Sequence, residues 1–137
     1  MNLAMIKKFS MSFSQLVRKA EVSENGIYRE CFHHSPASEM QFMLIAFKPH
    51  KIFNFIRDSQ KGNMAFTCLY GNIDITTMSG EKNVNTKNKY SLRQGDILYL
   101  PRNYWRMTET DAGGAVFTES IEGQFEPSLR DLYDEIG

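Results

Sequence analysis

The sequence predicts an all-β domain, either a sandwich or a barrel, and three observations lead to that fold class. Eight short runs rich in β-branched and aromatic residues follow one another at nearly regular spacing. Gly or Pro residues separate most of them, from Pro36 to Gly113. No long helical pattern lies between the runs, which argues against a parallel α/β sheet. The runs are Ile27–Phe32, Met40–Phe47, Lys51–Ile56, Met64–Tyr70, Ile73–Met78, Lys89–Leu92, Ile97–Leu100 and Gly114–Ile121.

A short helix is predicted before the first strand. The segment Ser12–Gln15 has the Ser-x-x-Gln spacing of a capping box, in which side chain and backbone cap each other. Apolar residues then recur at i, i+3, i+4 and i+7 across Phe13–Ala20, the spacing of one helical face. Glu24–Gly26 follows as a turn.

Several local features of the strand region carry their own predictions. Met40–Phe47 has apolar residues at both alternating sets of positions, so both of its faces are expected to be covered. Gly71 and Gly95 are expected at turns. The polar stretch Ser79–Lys89 is interpreted as a solvated hairpin end rather than a phosphate-binding loop. Residues 128–136 have the capping and apolar spacing of a last short helix.

The length of the chain limits the number of domains, and its charge balance limits the kinds of partner it can attract. At 137 residues the chain is expected to be one domain: a helical lead (1–25), a β-barrel (26–123) and a tail (124–137). Sixteen basic residues balance sixteen acidic ones, so no net charge attracts nucleic acid or an anionic membrane surface. No apolar run reaches the length of a membrane span, and we predict neither nucleic acid nor membrane as a partner.

The cysteines and the N-terminus favour a cytoplasmic location. Two cysteines make no disulfide framework and suit a reducing compartment. Lys7 and Lys8 follow an apolar-leaning start, the reverse of a secretory signal. Cys68 is interpreted as a small buried hydrophobe. The proximity of Cys31 to His33 is interpreted as incidental, because no nucleophile motif accompanies it.

Two segments resemble the signature motifs of the cupin superfamily, whose small members are double-sheet jelly rolls. The first extends from His50 to Gly71. The second is Gly95–Arg106, which begins Gly-Asp-Ile-Leu-Tyr-Leu-Pro. Over nearly the whole chain the sequence resembles WbuC-type, RmlC-like cupins, which are often encoded among genes for O-antigen or other surface-polysaccharide synthesis. The segments that carry this wider resemblance are Phe13–Ala20, Tyr28–His34, Met40–Gln41, Pro49 and Glu119–Pro127. The resemblance implies a cupin-type double-stranded β-helix, with a short helix at the N-terminus and another at the C-terminus.

The family's metal-binding positions are altered here. Where the resemblance places His, His, Glu and His, this chain has Ile56, Asp58, Met64 and Arg106. Ile has no lone pair, Arg is a permanent cation, and a Met thioether is a poor ligand for hard or borderline ions. The sequence therefore predicts the fold with no metal and no other cofactor.

The resemblance and the altered motif together suggest a function. The first hypothesis is a protein that binds a small polar molecule, a sugar or nucleotide-sugar, inside the barrel, with a link to surface-polysaccharide synthesis. The alternatives are a metal-independent sugar-nucleotide isomerase or epimerase, with His34 as acid or base, and a structural or interaction protein with a filled barrel. The aromatic content is compatible with a symmetric homodimer. The barrel-interior residues predicted to bind the ligand are Asp58, Arg106, Met64, Ile56, Gln41, His34 and Tyr104.

Arg106 is expected to need a partner inside the barrel, because a lone buried charge costs several kcal/mol. One hypothesis pairs it with Asp58, so that the guanidinium occupies the place of the metal and orients the ligand. The alternative leaves Asp58 facing solvent in the turn 57–62.

Overall fold

The computed structural model describes residues 11–33, 35, 37–58, 62–80, 84–123 and 130–132. The elements are α1 (Phe13–Glu21), β1 (Ile27–Cys31), β2 (Met40–Phe47), β3 (Ile52–Asp58), β4 (Met64–Ser79), a 3-10 turn (Val84–Thr86), β5 (Asn88–Leu92), β6 (Ile97–Leu100), β7 (Tyr104–Glu122) and β8 (Arg130–Leu132). Every strand pairing between them is antiparallel, so the all-β prediction is confirmed.

The long strands β4 and β7 organise the barrel by pairing along nearly their whole lengths. The C-terminal half of β7 also pairs with β2, which carries β1 on its other edge. The N-terminal half of β7 pairs with β3, which carries β8. On the far edge of β4, β6 pairs with the N-terminal half and β5 with the C-terminal half. Each half of the β4–β7 ribbon is therefore the centre of one sheet layer.

The ribbon folds over on itself, so that its two halves form facing layers. Arg106 and Glu119 are thirteen residues apart on β7, yet their side chains are within 3.1 Å of each other. A straight strand would separate them by about 40 Å. The bend lies at Gly71 (φ +74°), which pairs with Ala115, and at the adjacent Gly114 (φ +67°), between two irregularities in the register of β4 with β7. The result is a jelly-roll barrel.

Gly71 is an integral part of this bend rather than of a turn between two strands. The runs 64–70 and 73–78 were predicted as separate strands, but they form one bent strand because β7 remains paired on both sides of the bend. Gly95, by contrast, lies in a turn as predicted, with a φ of +91°.

We expect Gly71→Ala to lower the free energy of unfolding by more than about 2 kcal/mol, since a left-handed φ alone costs a residue with a Cβ about 1–2 kcal/mol. The added Cβ would also lie 2.2 Å from the carbonyl oxygen of Gly114. Gly113→Ala is the matched control, because its Cβ would meet only Asp111 Oδ1 at 3.6 Å. Urea denaturation measures both variants, and equal midpoints for the two would contradict this account of the bend.

Helix α1 forms as predicted and covers the outside of the barrel. Ser12 Oγ accepts a hydrogen bond from the backbone N–H of Gln15, and Gln15 Oε1 accepts one from the backbone N–H of Ser12, which completes the capping box. The buried face of the helix packs against Leu44, Ala46 and Val116. The opposite face of β2 lies in the barrel core, so both faces of that strand are covered, as expected.

Two segments differ from the sequence prediction. Residues 130–132, predicted to be helical, form β8, because their backbone pairs with Ile56–Asp58; the rest of the predicted helix lies outside the described residues. Tyr104–Asp111 was not predicted to be a strand, yet it is the first part of β7. Its inward positions carry Arg106, Thr108 and Thr110, so the usual apolar alternation is missing.

No helix in the described ranges has the length and apolar character needed to cross a bilayer.

Candidate functional site

A cavity of about 300 Å³ lies inside the barrel, between the two layers. We call it the barrel cavity. Its apolar wall consists of Met43, Ile45, Phe47, Phe53, Ile56, Phe66, Phe117 and Ile121. Its polar side chains are Arg29, Cys31, His33, Gln41, Arg106, Thr108 and Glu119. A mostly apolar wall with a few polar groups is the usual composition of a small-molecule site.

Strand alternation explains why these residues share the cavity. Side chains two apart on a strand face the same side, so Gln41, Met43 and Ile45 point inward from β2 together. β7 contributes Arg106 from one layer and Glu119 from the other; the two are an odd number of residues apart, so the inward alternation shifts at the bend between them. The site therefore depends on strand positions held by the barrel itself.

A buried ion pair forms the polar centre of this wall. Arg106 is 4% exposed and Glu119 is 8% exposed. Arg106 Nη2 donates to Glu119 Oε1 over 3.1 Å. Both groups line the barrel cavity, so a molecule inside it meets a guanidinium beside a carboxylate.

The mouth of the cavity is formed by β1 and the residues that follow it. Arg29 and Cys31 are exposed there, and His33 is half-buried. The backbone N–H of Phe42 lies 3.2 Å from His33 Nδ1, which holds the imidazole ring against β2. Charged and polar groups therefore surround the entrance.

Of the seven predicted site residues, three line the barrel cavity and two lie elsewhere in the described structure. Gln41, Ile56 and Arg106 line the barrel cavity, and Ile56 is the direct cross-strand neighbour of Arg106. Met64 is buried in the core and is absent from the cavity wall. Tyr104 opens into a second cleft of about 350 Å³ beside β5 and β6.

Two predicted site residues lie partly or wholly outside the residues that the structure describes. The backbone of Asp58 continues β3 and pairs with Arg130, so the strand extends into the turn proposed for 57–62. The side chain of Asp58 and the whole of His34 lie outside the described residues. The hypothesis of an Asp58–Arg106 pair therefore stays a prediction, whereas Glu119 is a carboxylate that the structure places beside Arg106.

Sequence reasoning missed Glu119 as a site residue, although a local signal was present. Glu119 alternates with Phe117 and Ile121, both of which are buried in the barrel core. A charged residue on the apolar face of a strand needs a partner inside the fold. That partner, Arg106, is thirteen residues away on the other half of the same strand, where strict alternation would place it on the opposite face.

The metal that cupins usually hold does not fit the residues found here. A metal ion at this place would meet the buried guanidinium of Arg106, and a fixed positive charge repels a cation. Ile56, beside it, offers no donor atom. Among the described residues, no three His, Cys, Asp or Glu side chains are grouped so that they could hold a metal ion.

The two cysteines are expected to differ strongly in reactivity. Burial raises the pKa of the Cys68 thiol, which is fully buried with its Sγ 3.4 Å from the carbonyl oxygen of Gly71. Cys31 is exposed at the mouth. Ellman's reagent at mildly alkaline pH should label one thiol quickly in the native protein and the second only on unfolding. Cys31→Ser should abolish the fast phase, and fast labelling of that variant would contradict the assignment.

Solved structures with a similar fold place the barrel among known architectures. Protein SO0799 from Shewanella oneidensis aligns over 88% of this chain and 84% of its own, at 9% identity and a TM-score of 0.68. Peruvianin-I, a cysteine peptidase from Thevetia peruviana latex, aligns over 80% of this chain and 68% of its own, at 16% identity and a TM-score of 0.63. An oxalate oxidase aligns over 76% of this chain at 12% identity and a TM-score of 0.63, and this chain spans 54% of its length.

These neighbours are cupin-fold proteins, so the predicted cupin-type jelly roll is confirmed. Identities this low show the fold alone, since one fold hosts many functions. No protein-family model matches the chain, and no curated protein sequence matches it.

Proposed function

We propose that this cupin-fold chain binds a small polar molecule of about the size of one sugar ring in its barrel cavity. The observation that carries the proposal is the buried Arg106–Glu119 pair in the wall of a cavity of about 300 Å³. A buried ion pair often stabilises a protein no better than apolar residues of the same volume. Its position in a cavity wall, rather than in a filled core, therefore supports a role in recognition.

The size of the cavity limits the ligand. Its volume of about 300 Å³ is at the lower end of the range for small-molecule sites. It corresponds to roughly ten water molecules at liquid density. A single sugar ring fits this space, whereas the nucleotide of a nucleotide-sugar would have to remain outside, near Arg29 and His33.

The same cavity argues against a filled barrel. In a structural or interaction protein, the last alternative drawn from the sequence, apolar side chains would fill the barrel interior. Here Ile56 and the surrounding Phe residues line an open space instead. The link to surface-polysaccharide synthesis is supported only by the resemblance to WbuC-type cupins. Isomerase or epimerase activity would appear in the experiment below as turnover of a bound nucleotide-sugar.

The test is ligand-observed NMR with a panel of monosaccharides and nucleotide-sugars, repeated on two matched variants. Cys31→Trp places a large ring at the exposed mouth of the cavity. Val22→Trp places the same ring at a position that is 82% exposed and does not line the cavity. Binding that survives Val22→Trp and disappears with Cys31→Trp supports the proposal. Binding that is unaffected by Cys31→Trp would overturn it, as would the absence of binding by every member of the panel.

A further inference from the structure

The second cleft, of about 350 Å³, lies between the facing edges of the two sheet layers. Strand β5 is the edge of one layer and β6 is the edge of the other, and in the described structure each of them pairs only with β4. The gap between the layers is therefore not closed by backbone pairing on this side, which leaves room for a ligand. The second cleft shares no described lining residue with the barrel cavity.

The two walls of the second cleft differ in chemistry. On the β5 side, Asn88 is the direct cross-strand partner of Thr77, and both line the cleft. Side chains opposite each other in this way have Cβ atoms about 5 Å apart, so an amide lies beside a hydroxyl. On the β6 side, Leu98 and Leu100 form an apolar wall. A ligand that fits both walls has one apolar face and hydrogen-bonding groups on the other side.

Three tyrosines add aromatic surface to the same cleft: Tyr90, Tyr99 and Tyr104. Tyr90 is 41% exposed and Tyr99 is 60% exposed, so parts of two rings meet solvent here. A tyrosine offers an apolar ring together with a hydroxyl that hydrogen-bonds. None of the described residues that line the cleft carries a charge. A charged group on the ligand would lose water there without gaining an ion pair from these residues, which favours a neutral ligand.

From the walls and the tyrosines we propose that the second cleft is a further binding site, which takes one neutral sugar unit of an oligosaccharide. The C–H face of the sugar ring packs against Tyr99 and the apolar wall. Its hydroxyl groups bond to Thr77 and Asn88, which can each donate and accept, as each sugar hydroxyl does. Thr77 is 2% exposed, so these bonds form at the floor of the cleft, and the exposed rim leaves the rest of the oligosaccharide in solvent. This site is independent of the function proposed for the barrel cavity.

The test uses ligand-observed NMR titrations with cellobiose and maltose as neutral disaccharides. D-Glucitol carries hydroxyl groups without a ring, and digalacturonate carries rings with carboxylates. At least one neutral disaccharide should bind at least about tenfold more tightly than both comparison compounds. The reason is that glucitol has no rigid apolar face for the tyrosines, and the carboxylates of digalacturonate lose hydration in an uncharged cleft.

Three variants at exposed positions assign the binding to the second cleft. Tyr99→Ala should weaken it at least about threefold, because a stacked aromatic contact contributes about 2- to 12-fold in affinity. Asn88→Leu keeps the approximate size, loses the amide and should also weaken binding at least about threefold. Ile97→Ala is the matched control: Ile97 is 68% exposed and two residues from Tyr99 on β6, but it does not line the cleft. Circular dichroism checks that all three variants are folded.

The outcomes separate this inference from the proposed function. Disaccharide binding that is lost with Tyr99→Ala and unchanged by Cys31→Trp supports the second site. Binding that is lost with Cys31→Trp and unchanged by Tyr99→Ala lies in the barrel cavity, which overturns this inference and leaves the proposed function in place. Equal effects of Tyr99→Ala and Ile97→Ala, or no binding by either neutral disaccharide, would overturn the inference as well.

Discussion

Glu119→Leu is expected to lower the free energy of unfolding by about 3–5 kcal/mol, the cost of removing one partner from a buried ion pair. The change removes the carboxylate oxygen that Arg106 Nη2 contacts at 3.1 Å, in a wall where Arg106 is only 4% exposed. Urea denaturation can follow it through Trp105, the single tryptophan of the chain, which is 2% exposed. Glu119→Gln retains an oxygen acceptor and should have a smaller effect.

A double-variant cycle tests whether the cost arises from the pair itself. Replacing both partners with apolar residues of similar size is often neutral, so Arg106→Met combined with Glu119→Leu should be more stable than Glu119→Leu alone. If the effects of Arg106→Met and Glu119→Leu on the free energy of unfolding are instead additive, the two side chains do not depend on each other. In that case the pair would not be the polar centre of the cavity.

Trp105→Ala is expected to lower the free energy of unfolding by about 3–5 kcal/mol, because it leaves a large void in a packed cluster. The indole ring packs with Phe55 and Met78, and the guanidinium of Arg57 lies over it at 4.9 Å from the ring centroid. Trp105 Nε1 also donates to the carbonyl oxygen of Gly80 over 3.2 Å, which ties the start of β7 to the residue that follows β4. Circular dichroism during thermal and urea unfolding gives the measurement without relying on the replaced fluorophore.

Trp105→Phe separates ring burial from the hydrogen bond. The carbonyl oxygen of Gly80 keeps a second donor, Arg57 Nη1 at 2.6 Å, so the lost indole N–H should not leave it unsatisfied. We therefore expect a cost of only about 1–2 kcal/mol, from one hydrogen bond and a modest loss of volume. A cost equal to that of Trp105→Ala would show that the hydrogen bond, and not the buried ring, dominates.

The sequence was most informative where structure depends on near neighbours. The capping box at Ser12–Gln15 and the apolar face behind it predict α1 because helix capping and helical periodicity are local. The run Met40–Phe47 is found with the same bounds as predicted, because both of its faces are apolar and both are covered. The residue types at the positions where the resemblance places the cupin metal ligands could also be read from the sequence, since they do not depend on the fold.

Local reasoning failed where a distant partner decides the conformation. Residues 130–132 have apolar spacing that suits a helix, but their pairing with β3 makes them a strand. Tyr104–Asp111 lacks apolar alternation because its inward residues face the cavity and its polar wall. In both cases the tertiary environment overrides intrinsic preference, as is common for strands.

The sequence by itself determined the fold class and the N-terminal helix. Only the tertiary structure decided that Arg106 meets Glu119 and that a cavity lies beside them. The physical reason is the bend at Gly71 and Gly114, which brings two halves of one strand face to face. Residues that a straight strand would hold about 40 Å apart thereby become hydrogen-bonded neighbours.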